Sequence, residues 1–184
     1  MEESARATLE ARSLAPEIGR VADRLVATFR GGNRLYACGN GGSACDAMHL
    51  VEELVARYRR ERPGLPAHHL MDPGVLTCWS NDYSYDDAFR RQVATLLSSG
   101  DVLVAISTSG NSSNVVAAVE AAHHRGAWTL GLTGGDGGRL AELCTETLRV
   151  PATATARIQE VHITLIHIFC ELLEAALFPA ARPA

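Results

Sequence analysis

Short apolar runs alternate with segments of helical periodicity along most of this 184-residue chain. The clearest run, Val102–Ile106, is followed by a hydroxyl-rich loop and then by a helical pattern from Asn114 to His123. Further strands are predicted at 34–38, 67–71, 128–132 and 147–150. Because strands separated by helices are joined by parallel crossovers, the pattern predicts an α/β fold with an open sheet and helices on both faces.

Helical segments flank and connect these strands. A first helix is predicted at about 4–30, where Pro16 either kinks the segment or starts a second helix. A second helix leads from the loop at 39–43 to about Arg60, and the last one covers about 156–177. No repeat or linker interrupts the α/β core at about 34–150, so we expect one domain over residues 1–184.

The composition excludes several classes of protein. A net charge of −4 argues against a broad nucleic-acid or anionic-membrane surface. All 17 basic residues are arginines, which excludes a lysine Schiff base and the lysine of a Walker A site. The five cysteines form no CxxC pair, and charged residues replace the apolar core of a signal peptide near the N-terminus. We therefore expect a cytoplasmic protein with reduced thiols.

The loop after the Val102–Ile106 strand indicates an anion-binding site. It contains Ser107, Thr108, Ser109 and Ser112 immediately before a helix. The first N–H groups of a helix have no partners within it, and the helix dipole favours negative charge there. Hydroxyl groups add neutral donors for phosphate oxygens, so the loop predicts a phosphorylated ligand. The alternative is an ordinary capped turn, in which serine is common.

A second loop, Gly39-Asn40-Gly41-Gly42-Ser43-Ala44, formally fits the dinucleotide fingerprint G-x-G-x-x-A. Asp72, after the next strand, has the place of the acid that binds ribose. Such short matches are weakly specific, and the chain offers no separate substrate domain. NAD binding is therefore the less favoured interpretation of this loop.

Two helices carry residues suited to a metal site. His49 and Glu53 are four positions apart and share one helix face, while Gln159 and His167 on the last helix are about 80° apart around its axis. Two imidazoles, a carboxylate and an amide suit a divalent transition metal such as zinc. The alternative is a surface His–Glu pair and two unrelated polar residues. His162 is a weaker candidate, because it is also compatible with simple packing.

Taken together, the motifs resemble those of one known family. They occur in the order Gly39 to Ser43, His49 to Glu53, Asn81-Asp82-Tyr83, Ser107 to Ser112, Leu132-Thr133-Gly134 and Arg157-Ile158-Gln159-Glu160. This order resembles the sedoheptulose 7-phosphate isomerase (phosphoheptose isomerase) family within the sugar-isomerase (SIS) domain group. The resemblance covers about residues 20–175. It implies a flavodoxin-like, doubly wound three-layer αβα sandwich with a five-stranded parallel sheet, assembled as a homotetramer with sites near subunit interfaces.

The same resemblance implies an activity and assigns residues to it. The activity is ketose–aldose isomerisation of sedoheptulose 7-phosphate through an enediolate, with Glu53 and His167 as the acid/base pair. One zinc ion per subunit is implied, with the ligands His49, Glu53, Gln159 and His167. Substrate contacts are implied for Asn40, Gly41, Gly42, Glu53, Asn81, Asp82, Ser107, Thr108, Ser109, Ser112 and Gln159.

One position departs from the family pattern: many members carry an aspartate where this chain has Ala156. Two other functions stay open at this point. Related SIS proteins act as non-catalytic adaptors, including one that binds the bacterial replication initiator, and others are phosphosugar-binding regulators. The adaptors tend to lose the catalytic carboxylate and histidine, whereas this chain retains Glu53 and His167. An enzyme is therefore the favoured interpretation.

Overall fold

The computed structural model describes residues 1–179. In this part of the chain the helices are α1 (Glu2–Glu10), α2 (Ala15–Arg30), α3 (Gly42–Val55), α4 (Pro73–Asp82), α5 (Ala88–Leu96), α6 (Ser113–His124), α7 (Gly138–Leu143) and α8 (Thr155–Leu177). The strands are β1 (Leu35–Gly39), β2 (Ala67–His69), β3 (Val102–Ile106), β4 (Trp128–Gly134) and β5 (Glu146–Val150). The single domain predicted over 1–184 includes residues 180–184, which lie outside the described range, and it stays a prediction.

The five strands form one parallel sheet in the order β2-β1-β3-β4-β5. Leu35 pairs with Ala67 on one side and with Val102 on the other, and Val102 in turn pairs with Trp128. The first strand, β1, therefore lies inside the sheet, and β2 forms one edge beside it. The strands β3, β4 and β5 follow in order on the other side of β1. This is the flavodoxin-like, doubly wound order, and the predicted fold class is confirmed.

Helices cover both faces of the sheet, which makes three layers. Neighbouring residues of a strand point to opposite faces. Val104 and Leu132 accordingly pack in one core with Phe169 of α8, while Leu103 packs in the other core with Phe89 of α5. Because β3 is buried along its whole length, its sequence is a continuous apolar run rather than an alternating one.

The N-terminal helical segment is divided, as the presence of Pro16 had allowed. α1 ends at Glu10, a 3₁₀ turn covers Ala11–Leu14, and α2 begins at Ala15 with Pro16 in its first turn. Proline has no N–H for an intrahelical bond, so it is tolerated there and not in the middle of a helix. The prediction of one continuous helix over 4–30 is wrong, and the alternative of a second helix is correct.

The helix predicted to reach about Arg60 ends earlier, at Val55. In a longer helix the carbonyl groups of Glu53 and Leu54 would accept the N–H groups four residues later. Here the guanidinium of Arg62 donates to both carbonyl oxygens instead, at 2.8 Å each. The chain also turns at Gly64, where a β-carbon would overlap the carbonyl oxygen of Val55. A tertiary contact, which periodicity cannot reveal, therefore ends α3.

The winding direction of the sheet changes between β1 and β3. Ligands of such sheets bind outside the carboxyl ends of the strands at this switch point. The glycine loop after β1 (39–42) and the serine loop after β3 (107–112) both lie there, because their strands are direct neighbours. The fold thus places side by side the two loops that the sequence singles out. Within residues 1–179, no helix combines the length and the apolar character needed to cross a membrane.

Candidate active site

Three hydroxyl groups of the serine loop converge at the start of α6. Ser107 Oγ lies 3.0 Å from Ser112 Oγ and 3.5 Å from Ser109 Oγ. Ser112 is the N-cap residue of α6, but its hydroxyl does not cap the helix and faces the other serines. The first-turn N–H groups of α6 and these hydroxyls form a group of donors at the positive end of a helix, which is suited to a phosphate.

The segment after β4, which comprises a glycine-rich run at 134–138 and the first turn of α7, holds the serine loop in place. The N–H of Leu140 donates to the carbonyl of Gly110, and the N–H of Arg139 donates to the side-chain oxygen of Asn111, both at 3.0 Å. Gly110 has a φ of +66°, and a β-carbon there would overlap the carbonyl oxygen of Gly137. The run at 134–138 thus joins β4 to α7 and, together with the first turn of α7, supports the serine loop.

The glycine loop after β1 is hydrogen-bonded to helix α6. Asn40 and Asn114 exchange two amide hydrogen bonds, at 2.8 and 2.9 Å, and the Tyr85 hydroxyl donates to Asn40 Oδ1 at 2.7 Å. Asn40 was predicted to contact substrate, and its side chain links the two loops. The substrate contacts expected of Asn40, Gly41 and Gly42 stay predictions.

The histidine and carboxylate residues predicted on two distant helices come together. His49 Nε2 lies 3.4 Å from Glu53 Oε1 and 3.3 Å from His167 Nε2. One ligand atom from each of these three residues lies within 4.8 Å of the others, and all three side chains are half-buried. This group is called the His–Glu–His cluster below.

The His–Glu–His cluster has the donor set and the spacing of a metal site. Zinc is bound by imidazole nitrogen and carboxylate oxygen at about 2.0–2.2 Å, and tetrahedral ligands at that distance are roughly 3.3–3.5 Å apart. The separations of 3.3 and 3.4 Å agree with this value. The residues present therefore fit a divalent metal ion.

Gln159, the fourth predicted ligand, lies eight residues, or about two turns, before His167 on α8. Its amide packs against the backbone of Gly42, where a β-carbon would overlap the Gln159 side chain. It thus faces the first residue of α3, whereas His49 is seven positions further along that helix. The proximity of Gln159 to the glycine loop agrees with a substrate-binding role, and its role as a ligand stays a prediction.

Asn81 and Asp82 end helix α4, and both are exposed. Asn81 donates to Asp82 at 2.8 Å, and the other oxygen of Asp82 lies 3.7 Å from the sulfur of Cys78. Within the described chain no hydrogen bond joins this pair to the serine loop or to the His–Glu–His cluster. Their predicted substrate contacts stay predictions.

His162 packs in the core. It is fully buried, and its Nε2 lies 3.2 Å from the carbonyl oxygen of Thr133. Burial lowers the pKa of His162 to about 4, although the hydrogen bond to Thr133 acts in the opposite direction. The ring is therefore neutral near pH 7 and contributes to packing. This agrees with the alternative of simple packing that the sequence left open for His162.

Two residues next to the cluster, Asp46 and Tyr58, were not predicted from the sequence. Asp46, one turn before His49 on α3, is buried with Oδ2 unpaired, and burial raises its pKa to about 6, against the opposing effect of His49. Tyr58 stacks on the His167 ring, with 5.9 Å between centroids and 26° between planes. The spacing of Asp46, His49 and Glu53 on one helix face was a usable signal, whereas nothing in the sequence pointed to Tyr58.

Comparison with known proteins agrees with this geometry. A family model described as "SIS domain" matches residues 2–134, so the fold is that of a SIS-domain protein. The chain is 51% identical over 178 residues to a phosphoheptose isomerase from Pelobacter propionicus, covering 95% of this chain and 94% of that protein. A phosphoheptose isomerase from Roseiflexus sp. is also 51% identical, over 94% of this chain and 87% of that protein.

A solved structure of the phosphoheptose isomerase from Neisseria gonorrhoeae superposes with a TM-score of 0.89 at 42% identity, covering 95% of this chain and 94% of that one. The phosphoheptose isomerase from Francisella tularensis gives 0.91 at 37% identity, over 94% and 93% of the two chains. The chain belongs to the phosphoheptose isomerase family.

Proposed function

We propose that the protein is an aldose–ketose isomerase that converts sedoheptulose 7-phosphate to D-glycero-D-manno-heptose 7-phosphate, the first step toward ADP- or GDP-heptose precursors. The observation that carries this proposal is the His–Glu–His cluster, which places a carboxylate and an imidazole within 4.8 Å of each other. Relatives at 51% identity are named phosphoheptose isomerase. These two observations favour an enzyme over the adaptor and regulator alternatives.

The reaction moves one proton between neighbouring carbons. Glu53 removes a proton from C1 of the ketose to give an enediolate, and His167 gives a proton to its C2 oxygen. Glu53 then returns its proton to C2 while the C1 hydroxyl gives its own proton to His167, which leaves an aldehyde at C1. Each residue ends in its starting state. A positioned acid and base of this kind typically accelerate a reaction by about 10²–10⁴-fold.

The serine loop binds the phosphate at the far end of the sugar. The proposed contacts are the hydroxyls of Ser107, Thr108, Ser109 and Ser112. Because the phosphate takes no part in the proton transfer, its binding orients the chain of carbons and raises the rate through positioning. Asn40, Gly41, Gly42, Asn81, Asp82 and Gln159 are the proposed contacts to the sugar hydroxyls.

The proposed metal is zinc, one ion per subunit. His49, Glu53 and His167 would hold it, with Gln159 as the proposed fourth ligand. When bound, zinc polarises the carbonyl group of the sugar and stabilises negative charge on its oxygens. A carboxylate held firmly by a metal is a weak base, so two arrangements stay open: Glu53 would leave the ion for proton abstraction, or the ion would have a partly structural role.

The protein is proposed to act as a homotetramer in the cytoplasm. Helix α4 supports an assembly, because none of its residues is buried and Tyr83, next to it, is 71% exposed. The exposed apolar side chains here, Val75 on α4 at 40% and Tyr83 at 71%, are compatible with a surface that a partner covers. Asn81 and Asp82 lie on the same helix, which agrees with a site near a subunit interface.

Ala156 supplies no carboxylate where many family members have one. The proposed proton transfers use only Glu53 and His167, so the reaction does not depend on that group. We therefore expect activity despite Ala156.

A turnover assay tests the proposal. Purified protein is mixed with sedoheptulose 7-phosphate, formation of the aldose phosphate is followed by a coupled enzyme, and substrate binding is measured separately by calorimetry. We expect turnover at a rate typical of metabolic enzymes, about 1–10³ per second. Protein that binds the sugar phosphate without turning it over would instead support the adaptor or regulator functions.

A further inference from the structure

A buried ion pair joins the segment after α3 to the end of α8. Arg62 Nε lies 3.1 Å from Glu174 Oε1, and the two side chains are only 1% and 4% exposed. Charges this far from water are costly unless their remaining hydrogen-bonding groups also have partners. Those partners connect the ion pair to the His–Glu–His cluster.

The two terminal nitrogens of Arg62 bind the last turn of α3, and Nη1 also donates to the carbonyl oxygen of Pro63 at 3.1 Å. Nη2 donates to the carbonyl oxygen of Glu53 and Nη1 to that of Leu54, each at 2.8 Å. The carbonyls at the end of a helix lack intrahelical partners and carry the negative end of the dipole, so a guanidinium is favoured there. The planar guanidinium therefore fixes the backbone of Glu53, whose carboxylate belongs to the cluster.

The remaining acceptor capacity of Glu174 is used by the backbone of the same segment. The N–H groups of Tyr58, Arg59 and Arg60 donate to its carboxylate at 3.2–3.4 Å. Burial alone raises the pKa of Glu174, but these N–H groups and Arg62 outweigh it and lower the pKa. The carboxylate thus holds the segment in the conformation that places the Tyr58 ring against His167.

The ion pair is thus linked to both sides of the cluster through the backbone: Arg62 binds the carbonyl oxygen of Glu53, and Glu174 binds the N–H of Tyr58, whose ring lies against His167. We propose that Arg62 and Glu174 are positioning residues, which keep the Glu53 carboxylate and the His167 imidazole at the separation that metal binding and proton transfer require. This inference rests on the proposed function for its catalytic part. The alternative is that the pair only stabilises the fold.

The variant Arg62→Lys distinguishes a positioning role of the ion pair from a role in stabilising the fold alone. Lysine retains the charge next to Glu174, but its single ammonium lacks the planar fork that reaches two carbonyl oxygens. Glu171→Gln is the matched control, because it removes the exposed ion pair between Arg59 and Glu171, at 2.6 Å, which joins the same segment to the same helix. The full chain is loaded with cobalt(II), and its visible absorption spectrum and cobalt affinity are measured together with kcat, KM and the midpoint of thermal unfolding.

We expect Arg62→Lys to shift the cobalt absorption bands and to lower both cobalt affinity and kcat about tenfold, the lower end of the effect of outer partners at metal sites, with KM within about twofold. Glu171→Gln should match the wild type in every readout. A folded Arg62→Lys protein with the wild-type cobalt spectrum and affinity would overturn the proposal.

A second variant serves if Arg62→Lys does not fold. Tyr58→Leu removes the ring next to His167 and leaves the ion pair intact, so the proposal predicts shifted cobalt bands, and unchanged bands would overturn it. The spectrum also separates this inference from the proposed function. Wild-type protein that binds cobalt but leaves sedoheptulose 7-phosphate unconverted would refute the isomerase, while the cobalt spectra would still decide the role of the ion pair.

Discussion

His49 Nε2 and His167 Nε2 face each other at 3.3 Å, although 118 positions separate them in the chain. Either one ring donates a proton to the other, or both lone pairs point to a shared cation. The nearby carboxylate oxygen of Glu53, 3.4 Å from His49, favours a cation. The meeting of α3 and α8 thus creates a site that neither helix has alone.

Replacing His49 should remove the metal. The loss of one of the two proposed imidazole ligands weakens zinc binding, so we expect His49→Ala to lose at least about tenfold in zinc affinity. Metal content is measured by mass spectrometry after dialysis against a weak chelator. His124→Ala, at an exposed histidine on α6, is the control and should retain the wild-type content. Equal zinc content in both variants would contradict the assignment.

Removing the Ser112 hydroxyl should weaken substrate binding. A hydrogen bond to a charged group contributes about 1.5–3 kcal/mol, so Ser112→Ala should raise KM for the sugar phosphate at least about tenfold. The kcat should change much less, because the phosphate is remote from the reacting carbons. Ser13→Ala, at an exposed serine between α1 and α2, is the control. A large fall in kcat at unchanged KM would argue against a phosphate-binding role.

Gly110 should tolerate alanine less well than Gly135 does. Both have positive φ, +66° and +57°, which costs about 1–2 kcal/mol for a residue with a β-carbon. Only at Gly110 would that β-carbon also overlap the backbone of Gly137. We expect Gly110→Ala to be less stable than Gly135→Ala by a further ~1–3 kcal/mol in urea unfolding. Equal losses would show that the two loops do not pack as described.

His162 should make the fold less stable in acid. Its pKa is about 4 in the folded protein, against an ordinary value of 6.5, so between these values the unfolded chain binds the extra proton. The free energy of unfolding therefore falls as the pH drops from 6.5 to 4, by about 3 kcal/mol in total, and does not change through this group above pH 6.5.

The measurement compares the pH dependence of unfolding in the wild type and in His162→Gln. Asp46, with its pKa raised to about 6, acts in the opposite direction over much of the same interval, so only the difference between the two proteins is informative. His124→Gln should retain the wild-type profile. If His162→Gln also retains it, His162 does not titrate as proposed.

The sequence predicted the sheet well and the site in part. The observed range of β3 equals the predicted one, because a strand that is buried on both faces is visible in the sequence as a continuous apolar run. The end of α3 was misjudged, because Arg62 caps it from seven residues further along the chain. Tyr58 was missed because its position also depends on a contact between distant segments: its N–H donates to Glu174 of α8, and its ring lies against His167. Local periodicity reports on single elements, whereas these features depend on contacts between elements.

The most direct test of the account follows the anomeric proton of the product by NMR. A ketose has no proton on its anomeric carbon, and an aldose has one, so isomerisation produces a new signal. Glu53→Gln is compared with Glu52→Gln, which changes the neighbouring exposed carboxylate on the same helix. We expect the signal to grow with the wild type and with Glu52→Gln, and to grow at least about 10²-fold more slowly with Glu53→Gln. Wild-type protein that produces no such signal, or Glu53→Gln that matches it, would contradict the account.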